Sequence, residues 1–271
     1  MASKELDSHM SRDAVHAQLR ECQSHIHQWG CANRALFDSA KEHFKIIHHM
    51  QPEGDPFKYL GVLFDCKLTM ADEISRLTQK ARAKVTAIVR SRCFYTVREL
   101  VQQYKTHVLC LLEGSNGSIC HASPTHLSKL DKVQKRFLDE IGLDQTEAFL
   151  EHSIAPLQLR RNIGMLGFLH KVVLGLAHPD ILKMFPMALP SHSRYRLRSG
   201  SVHNKQLATV IEATDLMVLR RSVFGAIQSY NKLPQYVVDA KSVHSFQHLL
   251  TKDARFENQV GNPRWFNLYG W

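Results

Sequence analysis

A two-faced helix directly behind a short apolar run constrains this chain more than any other feature. The run Phe57-Lys58-Tyr59-Leu60-Gly61-Val62-Leu63-Phe64-Asp65 is mostly aromatic, aliphatic or β-branched. That is the composition of a short buried strand, and Gly61 within it marks a bulge or a close backbone approach. Thr69, with Asp72 three residues later, reads as a capping-box-like helix start. Glu73 adds an acid to the first turn, where the macrodipole favours negative charge. Beyond it Ile74, Leu77, Ala81, Val85 and Ile88 recur at three- and four-residue steps, and Arg76, Lys80 and Lys84 recur every four. One side of this helix packs; the other meets solvent or an anion. Arg82, Arg90, Arg92 and Arg98 extend the positive charge. Like charges four apart repel by a few tenths of a kcal/mol per pair, and a phosphate backbone would relieve that repulsion.

Charge points the same way. The 271 residues hold 35 Lys and Arg against 25 Asp and Glu, a formal net charge of +10, with 17 His in addition. Such a chain is more easily held near nucleic acid or acidic lipid than near cationic partners. The length allows one large unit or two smaller ones. The richest apolar stretch, 164–177, is interrupted by His170 and Lys171, so no transmembrane span is predicted. Met1-Ala2-Ser3-Lys4-Glu5-Leu6-Asp7-Ser8 lacks the apolar core of a secretory signal. An intracellular compartment, nuclear or cytoplasmic, is the expectation. Cys22, Cys31, Cys66, Cys93, Cys110 and Cys120 are widely spaced without a C-x-x-C pair, so neither a disulfide framework nor a zinc knuckle is indicated, and most read as buried thiols.

Val15, Leu19, Cys22, Ile26 and Trp29 predict a helix from about Arg12, with Gly30 as its stop. Ala35-Leu36-Phe37 and Phe44-Lys45-Ile46-Ile47 read as short strands, and 52–56 as a loop. So few strands make a poor sheet unless something else pairs with their edges. After Thr69 helical signals dominate. Ser123-Pro124 opens a helix carrying Leu127, Leu130, Gln134, Phe137, Leu138 and Ile141 that Gly142 closes. Pro156 opens another with Leu159, Ile163, Leu166, Leu169 and Val173 as its buried side, and His178-Pro179-Asp180 starts a short one. Residues 187–206 are rich in Pro, Ser, Gly, His and Arg and hold no acid; they read as an exposed linker whose Arg194, Arg196, Arg198 and Lys205 are a second candidate for phosphate contact. Helices over about 216–230 and 242–251 follow, then a tail with Trp265, Phe266, Tyr269 and Trp271 that either packs against a body or stacks bases.

The order of these pieces resembles the C-terminal half of the reverse transcriptase, an RNA-directed DNA polymerase, of LINE-type, jockey-like non-LTR retrotransposons. The stretch His27 to Glu42 looks like the sequence after the family's catalytic motif, with Lys41 in the position of the motif D lysine. Tyr59-Leu60-Gly61 looks like motif E, the primer grip, and 69–92 looks like the first thumb helix. Tyr230-Asn231-Lys232-Leu233-Pro234-Gln235-Tyr236-Val237-Val238 with Ser245-Phe246-Gln247 is similar to the tail block these transposable elements carry. The resemblance implies an α+β, mostly α-helical chain. A disordered 1–11 precedes an incomplete palm remnant at 12–68 with one helix and two or three strands. A helical thumb and connection at 69–186, the basic linker 187–206 and a helical tail domain at 207–271 complete it.

The departure from the family is as informative. Its polymerase carboxylates, an aspartate upstream and a Y-x-D-D turn, hold two Mg2+ ions and precede the region matched here. The adjacent acid pairs of this chain, Asp72-Glu73 and Asp139-Glu140, fall on predicted helices with structural roles. Cys120-His121 with His126, and His48-His49, lack a fourth ligand at a suitable spacing. The chain alone is therefore expected to have no catalytic residue and no cofactor, Mg2+ belonging to the full-length parent. Without that metal site Lys41 reads as a surface lysine. The expectation is a truncated reverse transcriptase that at most binds the backbone of an RNA/DNA template-primer duplex, independent of sequence. Tyr59, Gly61, Arg76, Lys80, Lys84 and Arg90, with Arg194, Arg196 and Arg198, are the candidate contacts. The alternatives are a C-terminal fragment of an active polymerase, and a non-catalytic interaction module or pseudogene product.

Overall fold

The structure, a computed structural model, describes residues 11–38, 42–48, 52–188, 203–209 and 217–271. It is mostly helical, with a single two-stranded antiparallel sheet among the described residues. Helix α1 is Arg12–Ala32, capped by the Ser11 side chain, which accepts from the Ala14 amide. It runs through Gly30, which is not its stop. Gly30 instead admits a close approach, because a Cβ there would meet the Phe37 ring at 2.5 Å. Helix α1 is held by polar contacts more than by packing. His27 and Gln23 reach Glu42, His16 reaches Glu53, and only Val15 and Gly30 of the helix are buried. The strands expected at 35–37 and 44–47 are not formed; one isolated bridge, Ile46 to Glu53, remains.

The apolar run at 57–64 is a hairpin and not one strand. Strand β1 (Phe57–Tyr59) pairs with β2 (Val62–Phe64), Phe57 opposite Phe64, and those two rings stack at 5.7 Å. The turn is Leu60-Gly61, both at positive φ (47° and 86°), as a two-residue hairpin turn of primed type requires. Gly61 therefore serves the turn rather than a bulge.

Helix α2 is Ala71–Arg90 and starts two residues later than Thr69. Its entry is organised by Asp65, which accepts from the Thr69 amide (2.9 Å) and hydroxyl (3.0 Å) and from the Met70 amide (2.7 Å). Burial would raise the Asp65 pKa, but these hydrogen bonds together outweigh it and hold the carboxyl below its ordinary value. Helix α3 (Val97–Tyr104) has the capping box that Thr69 lacks, formed by Thr96 and Glu99. A π turn at Lys105–Leu109 carries it into α4 (Cys110–Glu113). Short α5 (Asn116–Ile119) leads to α6 (Pro124–Ile141), opened by Ser123 and closed by Gly142 at φ 73°, with Leu143 N–H donating to Leu138 O in a Schellman arrangement.

The first apolar core joins Met70, Ile74, Leu77, Ala81, Val85 and Ile88 of the α2 region to Tyr104, Val108, Leu130 and Phe137. Tyr104 and Phe137 stack at 4.3 Å. After α7 (Gln145–Leu150), helix α8 (Leu157–Val173) runs through the second core. Short α9 (Pro179–Met184) follows. The helix expected over 216–230 is two, α10 (Met217–Arg221) and α11 (Val223–Tyr230), interrupted at Ser222, whose hydroxyl caps the second by accepting from Phe224 N–H. Helix α12 (Gln235–Val238) precedes α13 (Val243–Gln259), which continues well past residue 251. The second core centres on Leu166, Leu169, Tyr230, Val237, Phe246 and Leu250. Inside it His170 stacks on Phe246 at 4.1 Å, shares a hydrogen bond with Tyr230 Oη and donates to Ala240 O. Of the six cysteines only Cys66 is buried; Cys31, Cys93 and Cys110 are exposed, because they fall on the outward sides of their elements. No helix among the described residues is long and apolar enough to cross a membrane.

Candidate nucleic-acid interface

Every residue of the predicted apolar stripe of α2 is buried, so Lys80 and Lys84 are turned outward and exposed. Arg76 is held differently. The Glu73 side chain is completely buried, and Arg76 donates to it through Nε (2.8 Å) and Nη2 (2.6 Å) while Nη2 also reaches Gly61 O (3.2 Å). Glu73 accepts from Leu63 N–H as well (3.1 Å). One buried carboxylate thus fastens the hairpin to the helix, and the bond to Glu73 is the main reason the Arg76 pKa is raised. Lys80, Lys84, Arg82 and Arg90 are exposed and make no hydrogen bond or ion pair among the described residues. At 1.5 Å rise per residue, Lys80 and Lys84 stand about 6 Å apart along the axis. Tyr59 is 42% exposed on β1, and Leu60 and Gly61 form the hairpin tip that Arg76 holds against α2.

A second basic group was not singled out from the sequence. Helices α2 and α6 run side by side in the same direction. His121, just before α6, bonds to Leu68 O ahead of α2, and Arg92 after α2 pairs with Glu140 near the end of α6. Lys132, Lys135 and Arg136 of α6, with Arg92, Asp139 and Glu140, line a shallow depression at that end. Their spacing of three and four residues is readable as a polar face of 124–141. Its position beside the end of α2 depends on the pairing of the two helices. Lys41, Arg194, Arg196 and Arg198 lie outside the described residues. The described ends of the 187–206 segment are packed. Met187 bridges to Leu207, His203 is buried against Tyr230 O, and Lys205 Nζ donates to Val238 O.

The tail aromatics divide between the readings. Trp265 stacks on Phe149 at 5.1 Å and Tyr269 donates to Leu250 O, both buried, whereas Phe266 and Trp271 stay partly exposed. Of the acid pairs, Glu73 is held by Leu63 and Arg76, and Glu140 is paired with Arg92. Among the described residues no group of three His, Cys, Asp or Glu could hold a metal ion. No protein-family model, curated protein or solved structure matches the chain.

Proposed function

We propose that this chain derives from a non-LTR retrotransposon reverse transcriptase and binds the backbone of a template-primer duplex through the outer face of α2. What carries the reading is the pair Lys80 and Lys84, exposed and unpartnered among the described residues on a helix whose opposite face is fully buried. The locked hairpin tip at the start of that helix supports it, because Arg76 sets Tyr59 and Gly61 in a fixed relation to the cationic face. Phosphate contacts of this kind position a duplex without reading its sequence. B-form DNA carries one charge per about 1.7 Å of axis, so the two lysines address phosphates only a few nucleotides apart. The test is affinity for an RNA/DNA hybrid, measured by anisotropy on several unrelated sequences. Affinities equal within a few-fold support the reading; no binding at low salt removes it.

A second reading, the C-terminal portion of an active RNA-directed DNA polymerase, is favoured by one observation. Trp29 of α1, Leu36 just after it and Leu60 at the hairpin tip are each well exposed, apolar surface that further palm strands would cover. A transcript whose frame continues upstream of Met1 into a paired-aspartate motif supports this reading, and one that stops in frame just upstream removes it.

A further inference from the structure

The turn between α2 and α3 carries its apolar side chains outward. Phe94 is 81% exposed, Tyr95 45% and Val97 39%, and none of the three belongs to either apolar core. The backbone beneath them is nonetheless fixed. Arg92–Phe94 forms a single 3-10 turn, in which Phe94 N–H donates to Ser91 O (3.0 Å) while Ser91 Oγ donates to Ile88 O (2.9 Å). On the far side the capping box of Thr96 and Glu99 leads straight into α3. Two aromatic rings are thus held out on a braced turn. Their surroundings are cationic. Arg90 and Arg98 flank the turn along the chain, both exposed and without a hydrogen bond or ion pair among the described residues. Arg92 pairs with Glu140 and, together with Lys132, Lys135 and Arg136, lines the depression at the end of α6. The acids there are Asp139 and Glu140, and Glu99 is engaged by Thr96. Cations therefore outnumber acids around the rings.

We propose that this turn is a platform for single-stranded nucleic acid, on which unpaired bases stack against Phe94 and Tyr95 while Arg92, Arg98, Lys132 and Lys135 hold the phosphates. Every base has a π face, so aromatic stacking beside a cationic surface binds a strand without reading its sequence. Bases inside a duplex have their faces covered, which makes an unpaired strand the partner that fits. Because the turn is already ordered, binding has little backbone freedom to remove. An acidic bilayer is the competing occupant, and it would press the exposed Asp139 and Glu140 against headgroups of like charge. A strand can follow the cations past them. The platform uses neither Lys80 nor Lys84 and stands without the duplex reading of α2.

Anisotropy of a labelled oligothymidylate, titrated with the intact chain at constant salt, tests it. The parent should bind the strand saturably, and an abasic sugar-phosphate strand of equal length about fivefold or more weakly, the loss of one stacked base. Phe94→Leu keeps an apolar side chain but removes the aromatic face, so it should weaken oligothymidylate binding by about the same factor, whereas Phe94→Trp should retain it. The exposure of Phe94 means that both variants should melt as the parent does. The loss on Phe94→Leu should recur in a Lys80→Gln/Lys84→Gln background, whose binding to the hybrid tests α2 separately. Three results overturn the proposal. One is no saturable binding of the strand by the parent. Another is Phe94→Leu binding as tightly as the parent, or the abasic strand binding as tightly as oligothymidylate. The last is cosedimentation of the parent with vesicles of equal parts phosphatidylserine and phosphatidylcholine that Phe94→Leu preserves and Phe94→Asp abolishes, with strand affinity unmoved by either, which assigns the turn to a membrane.

Discussion

Replacing Arg76 by Ala should damage the fold rather than the binding surface. The substitution removes both contacts to Glu73, at 2.8 and 2.6 Å, and the bond to Gly61 O. It leaves a completely buried carboxylate with Leu63 N–H as its one remaining partner among the described residues. Removing one partner of a buried pair costs about 3–5 kcal/mol. Arg76 is itself 32% exposed, so water can enter the vacated space, and the expected loss is nearer ~2–3 kcal/mol. Urea unfolding followed by circular dichroism measures it, and exchange of the Leu63 amide reports the hairpin directly. Lys84→Ala, exposed and unpartnered, should stay within about 0.5 kcal/mol of the parent. A double Glu73→Leu/Arg76→Met variant, which removes both charges, should recover most of the loss. An Arg76→Ala chain as stable as the parent, with Leu63 still protected, would refute the fastening role of this pair.

Two further outcomes follow from buried polar groups. Tyr104→Phe leaves Gln134 Oε1 without the hydroxyl 3.2 Å away and should cost about 1 kcal/mol in the same unfolding assay, while Gln134 keeps its bond to Ala155 O. His121, His170 and His203 all have lowered pKa values, in each case chiefly through burial, so the folded state favours the neutral rings. The unfolded chain then binds more protons once pH falls through the ordinary 6.5, and stability should be full above that value and decline below it. Melting temperatures across pH 5–8 check the direction; a stability that rises on acidification over that range contradicts it.

Periodicity made the helical half of this chain legible. The stripe from Ile74 to Ile88 is buried in full, and Ser123-Pro124 and Gly142 bound α6 as their side-chain chemistry dictates. What sequence reasoning missed depends on contacts between elements. The turn at Leu60-Gly61 uses a leucine at positive φ, so it lacks the Asn-Gly or Asp-Gly signal and the two strands read as one. Asp65 displaces Thr69 as the organiser of the α2 entry because Met70 adopts a left-handed conformation that no local pattern announces. Glu73 reads as an ordinary first-turn acid, and only the hairpin folded over it reveals a buried charge. The cationic face was readable as a pattern, but its division into a fastened Arg76 and exposed Lys80 and Lys84 required that hairpin.

The account is tested most directly by the salt dependence of hybrid binding for the parent and for Lys80→Gln/Lys84→Gln. Each lost phosphate contact should reduce the slope of log affinity against log salt by roughly 0.7–0.9, the range between single strands and B-form DNA, so the double variant should lose roughly 1.4–1.8 on the hybrid while keeping the parent's melting temperature. An unchanged slope in a fully folded double variant would contradict the assignment of α2 as the binding face.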